Sequence, residues 1–337
     1  MARSVTLRFL LVALGMGACT SPETGPMSLE ALRDRSTYAA LDQQEVASLA
    51  QAAKQYWATD FEPFTYLGVE HFHAGGVSHW MSIWKHEATA LEFVLLPGGR
   101  FLMGSPESEP GRSADETQHW MTLDPFLAAR TECTWQAWAI GADLPQLPQG
   151  HEPADVQLPV SGIGPIDVEL WCAQLGLDFP TEAQWEYLSR AGTTTPWSFG
   201  TQSESLQEAA NLGSLECPES WRQVPGIVES WYDGYGAVPA PVASFRSNAF
   251  GLFDVHGNLS EWCRDEYFDY AVTPEHGTGE RPGHSGERLA RGGNFGGAAL
   301  AARSADRLTA GPGINPGGGG NHGFGFRPSL DLKFHDR

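Results

Sequence analysis

Cysteine and histidine are the residue types with most scope for chemistry in this chain. Four cysteines, Cys133, Cys172, Cys217 and Cys263, lie well inside the sequence. As thiolates they could bind a soft metal, and as oxidised pairs they allow three disulfide connectivities, among which the sequence does not choose. None belongs to a Cys-x-x-Cys pair, which argues against a structural zinc site.

Four histidines, His71, His73, His79 and His86, fall within 16 residues of one another. Their spacing is compatible with a metal site. Such a cluster is more often a set of surface and strand residues, and we favour that interpretation. No other catalytic motif stands out, since the chain has no Gly-x-Ser-x-Gly elbow, and the glycine-rich stretch 311–323 lacks the Gly-Lys-Ser/Thr of a phosphate loop.

The charge balance excludes one class of partner. The chain has 41 acidic and 21 basic side chains, a formal net charge of −20. Nucleic acids and anionic membrane surfaces repel an excess of carboxylates. We therefore expect no nucleic-acid partner, and a share of the acidity could instead serve cation binding.

Five segments carry a family signature: Asn248–Cys263, Arg291–Phe295, Gly325–Arg327, Pro180–Tyr187 and Ala210–Leu212. Together they resemble the formylglycine-generating-enzyme, or sulfatase-modifying-factor, family. The resemblance covers about residues 80–332. It implies the C-type-lectin-like architecture of that family, in agreement with the α+β, loop-rich body that the short helical and strand patterns predict.

The resemblance also shows where the family's chemistry is missing. Active members oxidise a substrate cysteine to formylglycine, using Cu(I) held between two thiolates. Those positions are Gly297 and Ala302 here, and Asn294 replaces the usual serine. We therefore expect no copper and a non-catalytic binding protein. The alternative is an oxidase that forms formylglycine or uses another metal site, such as the upstream histidines.

Calcium is the metal that the resemblance does imply, in a structural role. One site would use the side chains of Asp254 and Glu261 with the carbonyls of Gly257 and Leu259. The other would use Asn211, the carbonyl of Leu212, Asp233 and the carbonyl of Tyr235. The alternative is that these carboxylates cap turns or pair with arginine.

The same resemblance suggests a groove and a set of core charges. The floor, 292–307, would bind a peptide, glycan or partner protein, with these candidate residues: Arg291, Gly293, Asn294, Phe295 and Arg303. Arg291, Glu261 and Arg327 are expected to be paired inside the core, where an unpaired charge would be costly. His256 is expected to be a satisfied core histidine and not a catalyst.

The N-terminus has the pattern of a bacterial lipoprotein signal. Arg3 and Arg8 precede the apolar run Phe9–Leu14, and small residues lead to Cys19. Acylation of Cys19 would anchor an exported protein to a membrane of the periplasm or cell envelope; the alternative is cleavage without a lipid. Residues 20–37 would be a tether, 38–79 a helical extension and 80–335 the main domain.

Several elements that must position these residues have readable ends. The apolar spacing predicts an amphipathic helix over Tyr38–Trp57. Residues 91–104 predict two short strands joined at a Pro-Gly-Gly turn. Helices are also expected from Thr134 to Ile140, from Asp167 to Gly176, and after Thr181, where Gln184 completes a capping box.

Overall fold

The computed structural model describes residues 29–140, 157–224, 226–310 and 323–334. The expected signal segment with Cys19, and most of the glycine-rich stretch 311–323, lie outside the described residues. Within them, no helix combines the length and apolar character needed to cross a membrane.

The largest sheet has five antiparallel strands in the order β1-β2-β3-β6-β11. Their bounds are β1 Phe64–Ala74, β2 Val77–His86, β3 Glu92–Leu96, β6 Phe126–Ala129 and β11 Ser329–Asp331. Strands β1 and β2 form a long hairpin whose turn is Gly75-Gly76, both with positive φ. Strands β3 and β6 are almost entirely buried, as expected in the middle of a covered sheet.

Two smaller sheets complete the strand content of the described residues. A four-stranded sheet has the order β10-β7-β8-β9, and strands β4 and β5 form a separate two-stranded ribbon. Their bounds are β4 Gly99–Met103, β5 His119–Leu123, β7 Ser260–Glu266, β8 Arg288–Arg291, β9 Leu308–Ala310 and β10 Phe324–Gly325. The structure is thus the α+β body with short, mainly antiparallel strands that the sequence predicts.

Six short α-helices lie among the described residues. They are α1 Arg35–Tyr38, α2 Gln43–Tyr56, α3 Trp135–Trp138, α4 Pro165–Leu175, α5 Glu182–Arg190 and α6 Glu219–Arg222. Three single turns of 3-10 helix occur at Leu29–Arg33, Ser203–Leu206 and Ala299–Ala302. The predicted capping box of α5 is confirmed, because the Thr181 hydroxyl accepts from Gln184 N and the Gln184 amide accepts from Thr181 N.

Two expectations about the elements need correction. The helical extension is helical only to Tyr56, since residues 64–74 form strand β1, and the helix expected over Tyr38–Trp57 is divided into α1 and α2. The tether expected over 20–37 already contains helix from residue 29, with Leu32 fully buried. The two short strands predicted over 91–104 are confirmed as β3 and β4, which join different sheets because each pairs with other strands.

The N-terminal elements share the core of the main body. Leu32, Val46 and Trp57 belong to the same buried cluster as Phe93 of β3. The Trp57 indole Nε1 donates to the carbonyl of Lys333, at 2.8 Å. This region is therefore packed into the body, where its burial contributes to the stability of the whole fold.

Candidate functional site

The expected groove floor begins where β8 ends at Arg291. The chain then turns sharply through Gly292 and Gly293, with φ of +96° and +67°. A Cβ added at Gly293 would lie 2.8 Å from the Ala301 carbonyl oxygen. Only glycine allows this close approach, which brings the turn against the 3-10 helix Ala299–Ala302.

Gly297 precedes this 3-10 helix, and Ala302 is its last residue. The backbone of Gly297 donates to Asn294 O and accepts from Gly213 N, at 2.9 and 2.8 Å. A Cβ added at Gly297 would meet Asn294 O and Ala301 Cβ at the ordinary contact distances of 3.6 and 3.7 Å. Ala302 is fully buried. The backbone at 297 would therefore tolerate a side chain, but neither residue supplies a metal ligand.

His256 lies directly beneath Ala302. Its Nδ1 donates to the Ala302 carbonyl at 2.7 Å, and its Nε2 accepts from the hydroxyl and the backbone N–H of Ser198, at 2.8 and 3.0 Å. Burial lowers the pKa of His256 to about 4, which keeps the ring neutral. The prediction of a satisfied core histidine is confirmed.

Arg291 lies below the groove and not on its surface. Its guanidinium is fully buried and reaches Glu182 and Glu186 at 2.9 and 3.0 Å. It also donates to the carbonyls of Ser304 and Asp306. Arg291 is therefore a paired core charge, as predicted. The second prediction, that Arg291 lines the groove, was wrong.

Arg303 needs the same correction. Its side chain is fully buried, and its guanidinium contacts Glu109 at 2.7 Å and Glu116 at 2.8 Å. It also contacts Asp306 at 3.2 Å. These contacts use the guanidinium donors that a ligand in the groove would need. Arg303 therefore joins buried loops and does not line the groove.

Most of the accessible residues of the floor have small side chains. Asn294, Gly296, Gly297 and Ala298 are partly exposed, and residues 300–301 are exposed, whereas Phe295 is nearly buried. The Asn294 amide donates to Ser260 Oγ at 3.2 Å and accepts from Gly296 N at 3.0 Å.

Trp221 of helix α6 and Glu229, in the loop after α6, both contact this floor. A Cβ added at Gly296 would lie 3.3 Å from the Trp221 ring. A carboxylate oxygen of Glu229 accepts from Ala299 N at 2.7 Å. Because several backbone groups of the floor, such as Gly297 N and Ala299 N, are already paired, recognition here would depend on packing as well as on new main-chain hydrogen bonds.

The first predicted calcium set has one side-chain oxygen without a hydrogen-bond partner. Asp254 has the uncommon φ of +59°; its Oδ2 accepts from Ala243 N at 2.8 Å, and its Oδ1 is buried without a hydrogen-bond partner. Burial raises the pKa of Asp254 to about 6. Glu261, in contrast, is engaged by Arg327 through both oxygens, at 2.6 and 3.1 Å, and by Trp185 Nε1 at 2.8 Å. Asp254 therefore keeps an oxygen that could bind a cation. Glu261 instead pairs with arginine, which is the alternative stated above.

The second set is divided in the same way. Asn211 Oδ1 is buried without a hydrogen-bond partner, which is the kind of atom that a cation would satisfy. Asp233 instead accepts from the backbone N–H groups of Leu212, Tyr235 and Gly236, at 3.0 to 3.1 Å. Asp233 thus caps a turn, as the alternative had it.

Sequence reasoning missed Glu132, which lies beside the first set. Its carboxylate accepts from Leu259 N at 2.9 Å and from Asn258 Nδ2 at 2.6 Å. Burial raises the pKa of Glu132 well above its usual range, and the charges of Asp254 and Glu261 add to the shift. No local signal could reveal Glu132, because its partners are more than 120 residues away in sequence.

The upstream histidines do not converge on one point. His86 bonds to Thr89, His79 packs on Phe250 and His71 packs on Trp80. The four internal cysteines are all buried free thiols. Among the described residues, no group of three or more His, Cys, Asp or Glu could hold a metal ion. That finding does not bear on the two calcium sets, because each relies mostly on carbonyl and amide oxygens and contains fewer than three such side chains.

Comparison with known sequences places these features in a family. The model of the sulfatase-modifying factor enzyme 1-like domain matches residues 79–327. The formylglycine-generating enzyme of Streptomyces coelicolor is 32% identical over 142 residues, which cover 41% of this chain and 42% of the relative. The inactive C-alpha-formylglycine-generating enzyme 2 of Bos taurus is 25% identical over 229 residues, 52% of this chain and 71% of the relative.

A solved structure supports the same assignment. The structure of PvdO from Pseudomonas aeruginosa is similar with a TM-score of 0.62 and 27% identity, covering 74% of this chain and 98% of that one. The match to the Streptomyces coelicolor enzyme covers less than half of that relative, and the match to the bovine formylglycine-generating enzyme covers 35% of its length. The family match and the α+β structure agree, and the chain belongs to the family of the sulfatase-modifying factor enzyme 1-like domain.

Proposed function

We propose that this chain is a non-catalytic member of its family whose groove binds a peptide, glycan or partner protein, with an extended peptide as the first candidate. One observation carries the proposal: Gly297 and Ala302 stand where the family resemblance expects two metal-binding thiolates. Neither side chain can bind Cu(I), which prefers soft sulfur ligands.

Three of the four remaining thiols are poorly placed to replace the missing pair. Cys133 and Cys172 belong to the main core, and Cys263 packs with Trp185 and Leu289 in a separate cluster. Burial raises the pKa of Cys133, Cys172 and Cys263 well above the usual range. The thiolate form that would bind copper is therefore disfavoured at all three positions.

The floor itself supports binding of an extended segment. Residues 296–302 have the sequence Gly-Gly-Ala-Ala-Leu-Ala-Ala, and bulky side chains are few apart from Leu300, which is 48% exposed. A strip of small residues beside Trp221 leaves room for the backbone of a bound chain, with apolar anchors at its edge. The similarity to a bovine relative named as inactive agrees with a binding role.

Calcium is proposed as a structural ion in this domain. Asp254 and Asn211 would supply the side-chain oxygens, since each has a buried oxygen without a hydrogen-bond partner. The two would serve separate sites. Calcium takes six to eight oxygen ligands, and the carbonyls of Gly257 and Leu259 could add to the first site and those of Leu212 and Tyr235 to the second. When bound, the ion would stabilise the folded state by mass action.

Export and lipid anchoring at Cys19 complete the proposal. The support is the basic, apolar and small-residue order of the first 19 residues. Fatty-acid labelling of the full chain should label the wild type and not Cys19→Ser. Equal labelling of both forms would contradict the anchor.

The groove proposal is tested by site-specific crosslinking. A photoreactive amino acid at Ala301, which is exposed on the floor, should capture a partner in intact cells. The matched control is Leu67, which is 48% exposed on strand β1. The same partners at both positions, or none at Ala301, would count against the groove.

The alternative, an active oxidase, predicts a different result. Purified protein would be incubated with copper, oxygen and a Cys-x-Pro-x-Arg peptide, and the aldehyde product measured by mass spectrometry. We expect none. Aldehyde formation that cuprous chelators abolish would overturn the non-catalytic proposal.

A further inference from the structure

A separate cavity lies where the N-terminal and C-terminal ends of the described chain meet. It has a volume of about 280 Å³ and includes none of the groove residues. Its walls come from the first 3-10 helix, the loop before β6, helix α5, the 276–278 loop and the chain after β11: Arg33, Asp124, Gln184, His276, Thr278 and Lys333. This volume is near the lower end of the range for small-molecule sites, roughly 300–1,000 Å³.

Basic groups are concentrated here in a strongly acidic protein. Lys333 is one of three lysines in the chain, with Lys54 and Lys85, and among the described residues its ammonium makes no ion pair within 4 Å. Arg33 stacks on the Phe334 ring, with the guanidinium carbon 3.7 Å from the ring centre, and its contact with Glu30 is long, at 3.9 Å. Lys333 can therefore meet an anionic group directly, and Arg33, held only by the long contact with Glu30, keeps guanidinium donors for the same group.

One carboxylate of the cavity, Asp331, is already engaged by partners inside the protein, although its cation Arg264 also pairs with Asp178 and Glu280. Asp331 accepts from the Gln184 amide at 2.6 Å and from the Arg264 guanidinium at 2.8 Å. It therefore has little capacity left to compete for the free cations.

Asp124 remains as the free carboxylate. Asp124 N donates to the Gly277 carbonyl at 2.8 Å, and its side chain makes no hydrogen bond or ion pair within the described part of the chain. Gly277 has φ of +85°, and a Cβ added there would collide with Asp124 Oδ2. The loop thus holds this acceptor against the cavity, where it would favour a cationic hydrogen-bond donor.

From these groups we infer that the cavity binds a small zwitterion, in which an ammonium group and a carboxylate or phosphate lie a few ångströms apart. The anionic group would meet Lys333 and Arg33, and the ammonium group would meet Asp124. The Thr278 hydroxyl and the His276 imidazole supply further polar contacts. A purely anionic or purely cationic molecule would leave one of the opposed charges without a partner.

Titration calorimetry on the full chain tests this inference with defined probes. O-phosphoethanolamine and β-alanine carry both charges, whereas ethanolamine and inorganic phosphate carry one each. We expect the two zwitterions to bind at least about tenfold more tightly than the single-charge probes, because each gains one more charge-assisted hydrogen bond to the cavity. Vesicles with phosphatidylethanolamine, compared with phosphatidylcholine, would show whether the zwitterion is a lipid headgroup.

Two variants locate the binding. Lys333→Gln and Asp124→Asn should each weaken zwitterion binding about tenfold, whereas Lys85→Gln, on strand β2, should leave it unchanged. Thermal melting verifies that each variant is folded. Zwitterion or vesicle binding that is sensitive to both cavity variants supports the site. Absence of binding by every probe, or binding that neither variant changes, would overturn it.

Discussion

The guanidinium of Arg327 holds both carboxylate oxygens of Glu261, with Nη2 2.6 Å from Oε1 and Nε 3.1 Å from Oε2. Both side chains are at most 1% exposed. Arg327 also donates to the carbonyls of Ala129 and Phe253, so one side chain joins β6, the loop before β7 and β7 itself. Arg327→Met should destabilise the fold by about 3–5 kcal/mol, because it leaves Glu261 buried and unpaired.

Chemical denaturation measures this loss of unfolding free energy. The control is Arg288→Met, which breaks a partly exposed pair with Glu169 and should cost within about 1 kcal/mol. An equal, small cost for both variants would mean that the buried pair does not hold the sheets together.

Restoring two thiols should restore copper binding. Gly297→Cys together with Ala302→Cys puts soft ligands before and at the end of the 3-10 helix Ala299–Ala302, and the backbone at 297 has room for a side chain. We expect about one Cu(I) per chain in a chelator-competition assay, against none for the wild type. The Gly297→Ser, Ala302→Ser variant is the control. A folded dithiol variant without copper would show that the two positions do not face each other.

Acid should weaken the fold partly through His79. Burial lowers the pKa of His79 to about 4, below its usual 6.5. The unfolded chain therefore binds a proton that the folded chain does not, and stability falls as pH drops from 6.5 towards 4. This one residue should account for about 3 kcal/mol over that window.

The pH dependence of unfolding, measured by denaturant titration, isolates this contribution. His79→Leu should flatten the profile between pH 6.5 and 4, while His73→Leu, at an exposed position on β1, should not. An unchanged profile for His79→Leu would show that this ring is not buried as a neutral group.

Calcium should stabilise the protein if the proposed ion is bound. At a hundredfold excess of Ca²⁺ over its Kd, the unfolding free energy should rise by roughly 2.7 kcal/mol. Asp254→Asn should reduce this gain, because it removes the carboxylate whose Oδ1 has no other partner, whereas the exposed Glu107→Gln should keep it. A melting temperature that neither EDTA nor Ca²⁺ changes would contradict the proposal.

Some features of this protein could be predicted from the sequence because their cause is local. The capping box at Thr181 and the left-handed Gly176 that ends α4 depend on residues within one helical turn. The family motifs likewise lie in short contiguous segments, so they predicted the fold and the absence of thiols at 297 and 302.

Other features could not be predicted, because they depend on contacts between distant segments. The polar strand β1 has no clear apolar alternation and is specified by its pairing with β2. Arg303 looked like a groove residue until its contacts with Glu109 and Glu116, more than 180 residues earlier, placed it underneath.

The sequence by itself therefore determined the family, the helix ends and the absence of cysteine at positions 297 and 302, which are properties of residue type and short-range order. Only the tertiary structure decided which charged groups are consumed inside the core and which remain free. Glu261 and Asp233 are occupied by internal partners, whereas Asp254 Oδ1 and the ammonium of Lys333 are not. The reason is physical: burial requires a partner for each charge, and the partner is chosen by packing across the whole fold.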